Sequence, residues 1–143
     1  MFEIKDLHHV SLVVQDVERS RYFYCDILGM KDEKRPVNFD FKGAWFVTDR
    51  VEIHLIHRAD ATQAAGDPPN QPTPERDLTF ARHFCFEINE VQAMLERLSQ
   101  YNVPIACGPR ARGDGATQTY IYDPDGHLVE LVYVPRPDSN DEP

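Results

Sequence analysis

Two stretches decide the fold: Leu7-His8-His9-Val10-Ser11-Leu12-Val13-Val14 and Ala81-Arg82-His83-Phe84-Cys85-Phe86-Glu87-Ile88. Each reads as an apolar-rich strand with a histidine near its start. His9 and His83 are 74 residues apart. A second pair, Val51-Glu52-Ile53-His54-Leu55-Ile56 and Leu128-Val129-Glu130-Leu131-Val132, aligns His54 with Glu130 at a spacing of 76. Two nearly equal spacings indicate a duplicated half of roughly 75 residues. The residues matched across it are three histidines and a glutamate. Imidazole and carboxylate are ligands of borderline divalent ions.

The elements around these strands repeat with the same period. Residues 7–14 form a strand, and Asp16 is placed to cap the helix that follows. Val17, Tyr24, Ile27 and Leu28 have helical spacing, and Gly29 is a natural stop. In the second half, residues 83–88 form the matching strand. Asn89 with Gln92 resembles a capping box. Val91, Met94, Leu95 and Leu98 make an apolar stripe that ends near Asn102. Strands are expected near 31–36, 41–48 and 51–57, and again near 104–107, 117–122 and 127–134. Asp123-Pro124-Asp125-Gly126 supplies the turn between the last two. Each half therefore reads β-α-β-β-β, and the chain is of the α+β class.

The expected organisation is a first βαβββ module over residues 1–57, an inter-module linker over 58–79, a second module over 80–134 and a solvated tail over 135–143. The linker carries Pro68, Pro69, Pro72 and Pro74. Such a length is long for a loop inside one compact domain but natural between two modules.

A chain of 143 residues with 41% hydrophobic and 27% charged content is that of a globular protein. Its formal net charge of −9 argues against a nucleic-acid partner, which calls for a basic patch. Clustered arginines can still hold a small anion against the global charge. No apolar run approaches a membrane span. Met1-Phe2-Glu3-Ile4-Lys5-Asp6 lacks the basic-then-apolar order of a signal peptide. Three widely spaced cysteines, Cys25, Cys85 and Cys107, do not suggest a disulfide framework. A cytoplasmic location is the expectation.

Alternation along strands places His83 on one face with Cys85, and Glu130 with Leu128 and Val132. Taken singly, each candidate ligand has an ordinary reading. An inward histidine is commonly a hydrogen-bonded core residue, and a glutamate between Val and Leu commonly faces solvent. Four such residues at repeat-equivalent positions favour a shared metal site.

The residues His8-His9-Val10-Ser11-Leu12-Val13-Val14-Gln15-Asp16, Ser20, Phe23-Tyr24 and Leu28-Gly29 resemble the vicinal oxygen chelate superfamily. So do Tyr120-Ile121-Tyr122-Asp123-Pro124-Asp125-Gly126-His127-Leu128-Val129-Glu130-Leu131. This is the glyoxalase, bleomycin-resistance and dioxygenase group, and the resemblance covers residues 5 to 134. It implies two βαβββ modules whose mixed sheets curl around a metal-binding cleft. The implied ligands are His9, His54, His83 and Glu130, with Glu130 also the catalytic base. The implied cofactor is one divalent ion, Zn²⁺, Ni²⁺, Co²⁺, Mn²⁺ or Fe²⁺. A thiol such as glutathione is compatible as cosubstrate.

The implied activity is that of a glyoxalase I-like lyase or isomerase on a small oxygen-bearing metabolite or its thiol adduct. The alternatives are a thiol transferase of the fosfomycin-resistance type and a non-catalytic drug-binding protein. The family's bacterial glyoxalases usually carry a carboxylate where this chain has His54, which leaves the site one unit more positive. Arg110 and Arg112, on a loop before the strand of Tyr120, are candidates for holding an anion. Arg112 and Tyr120 are the substrate-binding assignments. Cys85 reads as a small core residue, His57 and His127 as structural or exposed, His8 as facing away from His9, and Asp123 and Asp125 as turn residues. A homodimer is expected, because open sheets leave edges that association covers.

Overall fold

The computed structural model describes residues 2–60, 78 and 81–136. The expected linker and tail therefore lie largely outside the described residues. Two four-stranded mixed sheets make up the fold, with strand orders β1-β4-β3-β2 and β5-β8-β7-β6. The chain divides into two compact units. One holds the first sheet together with the turn Asp123–His127, and the other holds the second sheet.

In the first unit, β1 (His9–Val14) runs parallel to β4 (Glu52–His57), while β3 (Gly43–Val47) pairs antiparallel with both β4 and β2 (Lys31–Glu33). Alternation sorts the two faces. Leu12, Val14, Ala44, Phe46, Ile53 and Leu55 are buried on one side. His9, Ser11, Trp45, Glu52 and His54 fall on the other, by the period of two. Helix α1 (Val17–Arg21) continues as a π-helical segment over Tyr22–Ile27, burying Val17, Ser20, Phe23, Tyr24 and Ile27. Its Tyr24 ring lies 6.0 Å from that of Phe46, which places the helix on the apolar face. Full burial of side chains such as Phe46, Ile53 and Leu55 stabilises the fold by about 1.5–3 kcal/mol each.

The helix boundaries follow local chemistry. Asp16 caps α1, its Oδ1 accepting from the backbone N–H of Glu18 at 2.9 Å and Arg19 at 3.1 Å. Gly29 follows the last turn with φ +81°, a conformation open to glycine at little steric cost. Gly43 has a different constraint. A Cβ there would run into the carbonyl oxygen of Leu55 on the paired strand. Gly43→Ala is expected to cost about 2 kcal/mol through overpacking, lowering Tm by about 6 °C in a thermal melt.

The second unit repeats the plan. Strand β5 (Phe84–Ile88) is parallel to β8 (Leu128–Tyr133), β7 (Thr117–Tyr122) is antiparallel to β8, and β6 (Ile105–Ala111) borders β7. Helix α2 (Val91–Gln100) is capped by Glu90 rather than Asn89, because the Glu90 carboxylate reaches both Gln92 N and Ala93 N. The stripe Val91, Met94, Leu95 and Leu98 is its less exposed face. Asn102, with φ 54°, ends the helical turn.

The registers reveal the duplication more sharply than composition does. His54 lies opposite Ser11 on one neighbour and Trp45 on the other. Glu130 lies opposite Cys85 and Tyr120. Each of these pairs matches across the repeat, as do the two strand orders.

Candidate functional site

The candidate donors are gathered as pairs, one in each unit. In the first, the imidazoles of His9 and His54 stack with centroids 4.0 Å apart and planes 16° apart. The His54 Nε2 lies 2.8 Å from Glu52 Oε2. The spacing of two on β4 puts Glu52 and His54 on one face, a signal present in the sequence. His8 does not face away. Its Nδ1 lies 2.8 Å from His9 Nδ1. Strand β1 begins at His9, so no ladder forces His8 onto the opposite face. Loss of hydration, then the nearby His54 and His8, hold the His9 imidazole below its usual pKa.

In the second unit, His83 Nε2 lies 2.9 Å from Glu130 Oε2. His83 Nδ1 is 2.8 Å from the carbonyl oxygen of Ala81, so Nδ1 carries the proton that donates there. In the neutral ring, Nε2 then presents a lone pair to a carboxylate oxygen. Two acceptors at that separation call for a proton or a cation at the pair. The other oxygen, Glu130 Oε1, accepts from Gln118 Nε2 at 2.9 Å, and the same amide reaches the Tyr120 hydroxyl at 3.2 Å. Glu130 is buried at 5% exposure, against the ordinary reading of a solvent-facing glutamate. Tyr120 is fully buried and meets the His83 ring edge-on at 5.4 Å.

Arg110, Arg112 and Cys85 belong to the same unit as this pair. Strand β6 runs on to Ala111, so Arg110 is a strand residue and not a loop residue. The register breaks between Cys107 and Arg110 absorb Pro109, which cannot donate to a ladder. The Arg110 guanidinium lies 5.6 Å from the centre of the Tyr120 ring. Arg112 follows the strand and is paired with Asp114, Nη2 to Oδ2 at 2.7 Å, which raises the arginine pKa and lowers that of Asp114 to about 2.

Cys85 is exposed and not a core residue, because β5 is a sheet edge with β8 as its neighbour. Its thiol end is turned toward Glu130, and desolvation followed by that carboxylate pushes it up to about 12. It is therefore a protonated, poorly nucleophilic thiol at neutral pH. All three cysteines are free. His127 is structural, its Nε2–H donating to the carbonyl of Val13 at 3.0 Å. Among the described residues, no group of three or more His, Cys, Asp or Glu side chains is spaced to hold a metal ion. No helix among them is long and apolar enough to cross a membrane.

A family model described as the Glyoxalase/Bleomycin resistance protein/Dioxygenase superfamily matches residues 6–131. The chain belongs to this superfamily. Glyoxylase I 4 of Arabidopsis thaliana is 25% identical to it over 129 residues, covering 90% of this chain and 70% of that protein. A lactoylglutathione lyase of Neisseria meningitidis is 28% identical over 135 residues, covering 88% of each. The crystal structure of a glyoxalase/dioxygenase from Nostoc punctiforme aligns with TM-score 0.74 at 29% identity, covering 92% of both chains. Within this glyoxalase fold, His83 and Glu130 of the second unit bring together two donor types that divalent ions accept. One is a nitrogen freed by its backbone-held tautomer, and the other is a carboxylate steadied by an amide.

Proposed function

We propose that this glyoxalase-superfamily protein is a divalent-metal-dependent lyase or isomerase of the glyoxalase I kind, acting on a small oxygen-bearing metabolite or its thiol adduct. The observation that carries the reading is the His83–Glu130 pair. An imidazole Nε2 lone pair and a buried carboxylate oxygen stand 2.9 Å apart with the histidine tautomer fixed from behind. His9, His54, His83 and Glu130 are the proposed ligands. A bound divalent ion would supply Lewis acidity, polarising a substrate oxygen and making a neighbouring C–H more acidic.

The chain's own residues do the rest in this reading. Glu130 takes the proton from the substrate carbon and returns it to the adjacent one. Gln118 holds the carboxylate oriented through Oε1, with Oε2 on the side of His83. The Tyr120 hydroxyl, tied to the same amide, can donate to a substrate oxygen. Arg112 is the proposed holder of a substrate anion, in competition with Asp114. Support for the reaction class comes from the relative named lactoylglutathione lyase. Association into a homodimer belongs to the same proposal, since β1, β2, β5 and β6 are sheet edges.

The test is a parallel assay on protein purified without chelator and reloaded with Zn²⁺, Ni²⁺, Co²⁺ or Mn²⁺. Expected results are about one metal per chain by elemental analysis and metal-dependent turnover of methylglyoxal with glutathione. Consumption of fosfomycin with thiol instead would move the protein to thiol transfer. Stoichiometric drug binding with no turnover would make it a sequestering protein.

A further inference from the structure

Trp45 lies flat on His54. Their ring centroids are 4.1 Å apart and their planes differ by 6°. His9 covers the opposite face at 4.0 Å, and Glu52 Oε2 fixes the Nε2 edge at 2.8 Å. The His54 side chain is 12% exposed. Phe39 meets the indole edge-on at 5.1 Å and 72°, so Trp45 is braced in turn. The ladder places Trp45 directly opposite His54, the place Tyr120 takes opposite Glu130 in the other module. Both modules thus keep a large aromatic on the strand beside the donor.

We infer that Trp45 is a positioning residue for His54. It holds the imidazole in one plane, so that the ring is presented to a metal ion without first being ordered. The inference rests on the ligand role proposed for His54. A side chain already immobilised loses little further freedom on binding. Partners that orient metal-binding histidines are typically worth about 10–100-fold in metal affinity.

The experiment needs no substrate. Apo protein is titrated with NiCl₂ at fixed pH, with binding heat and tryptophan emission followed together. Trp45 is the chain's single tryptophan, so tryptophan emission reports on the surroundings of that residue. In the parent, emission should fall in step with the binding heat. Trp45→Phe keeps a ring to stack and should bind within about threefold of the parent, whereas Trp45→Ala should bind about tenfold more weakly. Equal affinity in Trp45→Ala, equal loss in Trp45→Phe and Trp45→Ala, or unchanged emission at saturating Ni²⁺ would each overturn the positioning role. If Trp45→Ala does not fold, the parent emission and the Trp45→Phe affinity decide by the same criteria. A parent that gives no binding heat, or a His54→Ala variant that binds like the parent, defeats the metal reading itself. Those outcomes are distinct from a Trp45 failure on an intact metal site.

Discussion

Glu130→Gln is expected to lower turnover by about 10³-fold at matched metal occupancy while leaving the fold intact. The amide is nearly isosteric. Its oxygen can keep the bond from Gln118 Nε2, now 2.9 Å long. In the metal-free variant its NH₂ can donate to the His83 Nε2 lone pair, which the Ala81 carbonyl leaves free by holding the Nδ1 proton. The amide thus satisfies both neighbours in the metal-free protein, so Tm should stay within a few degrees of the parent. What the amide cannot do is accept a proton from carbon, and positioned acid–base groups contribute about 10²–10⁴-fold. The measurement is steady-state turnover of methylglyoxal with glutathione, with metal content determined on the same samples. Glu130→Asp, which keeps a base at shorter reach, should fall between the two. Full activity in Glu130→Gln would remove the base from Glu130 and leave it a ligand at most.

The sequence carried the fold through features that act locally. Asp16 and Gly29 mark the first helix because one supplies an acceptor to two free amides and the other tolerates a positive φ. Two-residue alternation gave the faces around His83 and Glu130, and the repeat spacing gave the equivalence of His54 with Glu130 that the ladders display. Features decided by partners distant in sequence were not legible. Cys85 reads as core from its own strand, yet β5 is an edge and leaves it exposed. Gly108-Pro109 reads as a loop, yet strand irregularities carry β6 through it to Ala111. Glu90 displaced Asn89 as cap because side-chain reach, not residue preference, settles which carboxyl or amide finds the amides. In the site, the residue types were legible and the tautomer of His83 was not. It depends on where the Ala81 carbonyl points. The same holds for Trp45, whose role depends on the strand opposite.

Asp123→Ala should produce the largest loss of stability, because the turn residue has a second task in the first unit. Its Oδ1 accepts from Asp125 N at 2.9 Å and His127 N at 2.8 Å, which shapes the turn. Its Oδ2 accepts from the Tyr24 hydroxyl at 2.7 Å, inside the helix-covered core. Asp125 extends the attachment, accepting from Gln15 N at 2.9 Å. Alanine leaves a fully buried tyrosine hydroxyl and two amides without their acceptor, at about 1–3 kcal/mol for each group left unpaired. It also removes a desolvated carboxylate, which offsets part of that loss. A net cost of about 3 kcal/mol follows, or about 10 °C in Tm for a chain of this size. The offset has a sign that pH can read. Burial raises the Asp123 pKa above its ordinary value near 3.8, against the lowering influence of His127 and of the Tyr24 hydrogen bond. A carboxyl raised on folding stabilises most when protonated. Its contribution is complete below the unfolded value and declines as pH rises through the folded one. Asn keeps an acceptor oxygen but does not titrate. The Tm advantage of the parent over Asp123→Asn should therefore be widest below the unfolded value near 3.8 and narrow toward neutrality. An advantage that widens with pH would mean that Tyr24 and the turn amides hold the carboxylate ionised, with its pKa lowered on folding.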